Sequence, residues 1–234
     1  MDTEQQPVGA PSNGANLAAV LRGGYARALD KPFLSTPGGT TSTYRDIEVR
    51  ADALAGALRA HGADVGDRVL VQVAKSVDSV ALYLACLRMG AVYVPLNPAF
   101  TEAEQRFHLD DAEPAVVVHD PERPFLAAAT QLTLGDRGGG TLIEAAEAAA
   151  PLDHIVARSA DDLAAMLYTS GTTGRPKGAM LTHGGLAANG RALHDLWGFG
   201  PDDVLIHPLP IFHAHGLFVA LHCVMLSGAR SVFL

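Results

Sequence analysis

The chain is poor in the features that most often decide a protein's class on their own. It has two cysteines in 234 residues, Cys86 and Cys223, far apart and each set in an apolar helical pattern. That excludes a disulfide framework and a cysteine-based metal centre, and fits a reducing cytoplasm. Basic residues are outnumbered, 17 against 25 acidic, leaving a net charge of −8 with no basic stripe. Nucleic-acid binding therefore has no electrostatic support. No Lys or Arg precedes Arg22, so neither a secretory signal nor an Arg-rich presequence is expected. No apolar run is long enough to span a bilayer, and a soluble chain without a transmembrane segment is expected.

What is present is a hydrophobic content of 48%, enough for a packed core. After a Pro-, Gln-, Ser- and Gly-rich arm over residues 1–13, the pattern predicts a helix from Ala15 to Leu29. A hairpin around Pro37-Gly-Gly39 follows, and then a helix capped by Thr43 and ended by Gly62. Next comes a regular alternation. Strand Arg68–Ala74 leads to a helix capped by Ser76, with Val77, Val80, Ala81 and Leu84 on one face and Gly90 as its stop. Strand Val92–Val94 is broken by Pro95, a Thr101–Glu104 capping box opens a helix to Asp111, and strand Ala115–Val118 closes the set. Strands alternating with helices predict an α/β fold with a mostly parallel sheet layered with helices. Further on, an Ala-rich helix is expected near 142–150, and strands at Leu163–Tyr168 and Val204–His207. A helix capped by Thr182 runs from His183 to Leu196, and a buried one from Leu217 to Leu226. Arg230–Leu234 reads as an apolar strand cut in mid-run, in need of a partner.

The densest chemical signal is Thr169-Ser-Gly-Thr-Thr-Gly-Arg-Pro-Lys177, followed by Gly178. Gly171, Gly174 and Gly178 let backbone approach a ligand, and Ser170, Thr172 and Thr173 offer hydroxyls. Exposed backbone N–H groups could form an anion nest, and Lys177 supplies a compact cation. The spacing is not that of the commoner P-loop, because Pro176 stands where its second Gly would be and Gly178 follows the Lys.

This loop, with Leu167-Tyr168 before it and Ala179-Met-Leu-Thr-His183 after it, resembles the phosphate loop of the adenylate-forming enzymes. These are the acyl-CoA synthetases, peptide-synthetase adenylation domains and luciferases. Thr43-Tyr-Arg-Asp-Ile47, Arg88-Met-Gly-Ala-Val-Tyr-Val-Pro-Leu-Asn-Pro98 and Pro208-Leu-Pro-Ile-Phe-His-Ala-His-Gly-Leu-Phe218 extend the likeness over almost the whole chain. It implies a two-step reaction: a carboxylate attacks the α-phosphate of Mg·ATP, and coenzyme A then displaces AMP to form a thioester. Thr169, Ser170, Gly171, Thr172, Thr173, Gly174, Arg175, Pro176 and Lys177 would form the ATP phosphate site. Lys177, Thr172 and Thr173 would be catalytic, with Mg2+ met by Thr172 or Thr173. Arg175 is expected to face solvent.

The resemblance places His213 beside the acyl pocket, with less weight on His215, while His183, His207 and His222 are expected to be structural. It also implies about twice this length, so residues 14–234 are expected to be the N-terminal part of the large domain, truncated at a strand, with the C-terminal domain absent. The wording of Asp202–Phe218, and of Lys75-Ser76-Val77 and Tyr83-Leu84-Ala85, looks most like the malonyl-CoA synthetases. No Lys or Arg presents itself for malonate's second carboxylate. A medium- or long-chain fatty-acyl-CoA synthetase and a non-catalytic nucleotide-binding fragment are the rival readings.

Overall fold

Each strand–helix alternation in the sequence becomes a layer in the computed structural model, which describes residues 15–126, 130–169 and 176–234. The elements are α1 (Leu17–Tyr25), β1 (Pro32–Ser35), β2 (Thr41–Thr43), α2 (Tyr44–Ala60), β3 (Arg68–Gln72), α3 (Val77–Met89), β4 (Val92–Pro95), α4 (Glu102–Ala112) and β5 (Val116–His119). There follow β6 (Thr130–Thr133), α5 (Thr141–Ala148), β7 (Leu163–Thr169), β8 (Lys177–Thr182), α6 (His183–Trp197), β9 (Val204–His207), a π-helix (His215–Leu221), α7 (His222–Ser227) and β10 (Arg230–Phe233).

Six strands form one sheet in the order β6-β5-β3-β4-β7-β8, parallel except for the β7–β8 pair. Its strands alternate between two apolar layers. Leu70, Val92, Val94 and Val117 join Leu109 and Ala112 of α4 on one face. Val69, Val71, Tyr93, Val116 and Val118 join α2 and α3 on the other. With both faces covered, these short strands are apolar throughout.

The helix starts follow the sequence. Thr43, Ser76 and Thr101 each accept from the backbone three residues on, and Asp46, Ser79 and Glu104 answer as capping boxes. Gly90 ends α3 at φ +80°, a conformation open to glycine without steric cost. The expected single apolar face of α3 is too narrow, since every residue of α3 except Val77 is buried. Helix α1 is shorter than expected. Asn16 caps it by accepting from Ala18 N–H, and its amide donates to the carbonyls of Leu87 and Val156.

The second sheet has the order β2-β1-β10-β9, with β1, β10 and β9 parallel. It corrects the expectation of an unpaired last strand: β10 is interior, hydrogen-bonded to β1 on one side and β9 on the other. β1 and β10 lie nearly two hundred residues apart, so no local pattern announces the pairing. β6 and β8 went unforeseen because both are edge strands with little buried surface. The apolar run at Leu217–Leu226 is divided between the π-helix and α7.

Candidate active site

The parallel strands of the larger sheet end together, and β7 delivers the Thr/Gly-rich loop from that edge, where open α/β sheets take their ligands. Thr169, the last residue of β7, is exposed and pairs across the ladder with Lys177, the first residue of β8. The two strands thus close the loop like a hairpin, with an exposed ammonium at its mouth. Ser170, Gly171, Thr172, Thr173, Gly174 and Arg175 lie outside the described residues. Pro176 is half-buried beside Phe100, Phe107 and His108. Among the described residues no carboxylate lies within ion-pair distance of Lys177, which leaves its charge for a ligand.

Gly178 sits opposite Tyr168 in the ladder. A Cβ there would press on Met166 Sδ at 2.8 Å, so this glycine serves the β7–β8 packing. Tyr168, just before the loop, donates to Asp111 of α4 at 2.6 Å, and its ring meets His108 edge-on at 4.3 Å. The strand entering the loop is thereby tied to α4.

The Pro208–Phe218 segment leaves β9 and turns into the π-helix. His213 and His215 are both exposed on it. A cleft of about 170 Å³ opens beside the segment, walled by Trp197, Phe199, Leu205, Ile206, Pro208, Leu209, Val219 and Cys223, with His207 and His215 as its imidazoles. Of the two histidines weighed in the sequence, His215 lines this cleft. His213 stands in the same turn with its ring against Phe212, outside that lining.

The three histidines expected to be structural are buried and bonded. His183 Nδ1 accepts from Leu17 N–H at 3.0 Å, His207 Nε2–H donates to the Gly216 carbonyl at 3.0 Å, and His222 Nε2 lies 2.8 Å from Tyr83 Oη. Burial holds all of them below the ordinary imidazole range, His183 to about 4 and His222 to about 3.

Sequence reasoning attached no role to Lys75, yet the structure brings it to the wall of this cleft. Its ammonium donates to the carbonyls of His207 at 2.7 Å and Leu209 at 3.2 Å, both residues of the cleft wall. The partners are 132 and 134 residues away, beyond the reach of any spacing argument. Among the described residues no group of three His, Cys, Asp or Glu could hold a metal ion. Among the described residues no helix is long and apolar enough to cross a membrane.

Comparison with known proteins decides the family. The AMP-binding enzyme family pattern matches residues 22–234. The chain belongs to the AMP-binding enzyme family. Apo MatB from Rhodopseudomonas palustris superposes with a TM-score of 0.89 at 47% identity, covering 94% of this chain and 45% of that one. ATP-bound MatB from the same organism gives 0.87 at 48% identity over the same shares. The medium-chain fatty-acid–CoA ligase of Escherichia coli K12 is 35% identical over 228 residues, 89% of this chain and 40% of that protein. The chain thus spans less than half the length of each of these relatives. The parallel sheets layered with helices are those of the N-terminal domain of adenylate-forming enzymes.

Proposed function

We propose that this chain is the nucleotide- and acid-binding part of a cytoplasmic, AMP-forming acid–CoA ligase. The observation that carries this is the β7–β8 pair, which sets Lys177 across from Thr169 at the two ends of the loop, with no ion-pair partner for Lys177 among the described residues. Lys177 would follow negative charge onto the departing pyrophosphate, acting by position and electrostatics. Mg2+ supplies charge neutralisation on the phosphates when bound. Thr172 and Thr173 are the residues proposed to meet it, both outside the described part of the loop. ATP, the acid and coenzyme A are the proposed small-molecule partners.

The acid is proposed to lie in the cleft beside His215, with His213 as a second polar group at its approach. The cleft is close in volume to a cavity that holds benzene, roughly 150 Å³, which favours a short acyl group over a long chain. Malonate is the preferred acid, on the resemblance carried by residues 202–218 and on this volume. Similarity to a medium-chain ligase keeps octanoate as the second reading. ATP–pyrophosphate exchange by the protein as its gene encodes it separates them: malonate should drive exchange. Exchange with octanoate and none with malonate would reverse the choice.

A further inference from the structure

Lys75 lies where the C-terminal edges of the two sheets meet. It follows β3 of the larger sheet, bonds the carbonyl of His207 at the end of β9, and stands 4.9 Å above the ring of Phe233 at the end of β10. Its second bond, to Leu209, reaches past β9 into the segment that carries His213 and His215. Two further contacts hold the same segment. His207 donates to Gly216 across the turn, and a Cβ on Gly216 would fall on the Pro210 carbonyl oxygen. The turn is therefore pinned at its start by an ammonium and at its end by an imidazole and a close backbone approach.

The ammonium is half-buried and its partners are all neutral: two carbonyls and an aromatic face. Burial pushes its pKa down, and among the described residues no carboxylate pairs with it. Such a group is costly if its only task is packing, because an apolar side chain would avoid the desolvation. An ammonium offers what a methyl cannot, which is directional bonds to two carbonyls of one loop.

We infer that Lys75 is a positioning residue for the acid site. It fixes the His207–Leu209 wall of the cleft and so sets where His213 and His215 stand, and it leaves nucleotide binding to the β7–β8 loop. This rests on the proposed ligase reading, so its test has a second readout independent of turnover. Trp197, the one tryptophan in the sequence, lines the cleft together with His207 and Leu209 and reports on that wall directly.

Lys75→Met and Lys75→Arg would be compared with the parent protein by acrylamide quenching of Trp197 fluorescence, with Trp197→Phe as the blank. Exchange kinetics would follow with malonate or octanoate, whichever the protein accepts. Lys75→Met should raise quenching and raise the KM for the acid about tenfold, with the KM for ATP unchanged. Lys75→Arg should recover most of both. Unchanged quenching with unchanged acid KM would overturn the assignment. So would a parallel rise of both KM values with a lowered melting temperature, the mark of a merely structural residue. If the parent adenylates no acid, quenching decides alone: a Lys75→Met change at an unaltered melting temperature supports the role, and no change refutes it.

Discussion

The two sheets differ in how they are assembled and in what they leave uncovered. In the six-stranded sheet β3 pairs with β4 on one side and β5 on the other within about fifty residues of chain, and the central residues of these strands are buried on both faces. In the four-stranded sheet the central pair joins β1 to β10 across most of the chain. Its edge strand β9 leaves Val204 and Ile206 55% and 64% exposed. The first sheet is a platform that fixes where β7 ends and the proposed phosphate loop begins. The second carries the wall of the cleft proposed for the acid, and Lys75 bonds from the end of β3 to the end of β9. Dense packing is thus concentrated beneath the proposed phosphate loop. The cleft proposed for the acid depends on a few long-range polar contacts.

Removing Lys177 should break the platform's function most severely. Lys177→Ala is expected to lower acid-dependent pyrophosphate exchange by about a hundredfold or more while the melting temperature holds. Exchange at the parental rate would dismiss the phosphate-holding role. Stability should separate the sheets next. Leu82→Ala, at a fully buried position of α3, should cost about 3 kcal/mol in denaturant unfolding. Ile206→Ala on the open face should stay within about 0.5 kcal/mol. Equal losses at the two sites would erase the contrast between covered and open faces.

Acid should have a graded effect that arises where the helices pack together and accumulates with each pH unit. Above pH 6.5 the imidazoles of His183 and His222 are neutral in both the folded and unfolded chain. Below it the unfolded chain binds protons that the folded chain refuses until about pH 4 at His183 and about pH 3 at His222. Stability should therefore fall as pH drops through that window, each histidine contributing up to about 1.4 kcal/mol per pH unit. Melting curves from pH 7 to pH 4 would show it. His222→Gln should flatten the slope, and an unaltered slope would exclude this histidine as a cause.

The same contrast governs what the sequence could reveal. Thr43, Ser76 and Thr101 were readable as caps because capping is settled within four residues. The interior strands β3, β4, β5 and β7 of the larger sheet were readable from their apolar runs. The central position of β10 was not, because its partner β1 lies at the far end of the chain. β8 carries an exposed Lys177 and Met180 and lacks the alternation that marks a half-buried strand. At the site, the order of residues 169–178 is what points to a phosphate loop and to Lys177 as its cation. Lys75 and the cleft lining of His215 depend on contacts made only once β9 and the π-helix are in place.

The central claim is tested most directly by the products formed from ATP and the acid when coenzyme A is left out. Phosphorus NMR and mass spectrometry of that mixture, using the protein as its gene encodes it, should detect pyrophosphate together with an acid–AMP anhydride. Formation of ADP and inorganic phosphate, with no AMP-linked acid, would contradict the account.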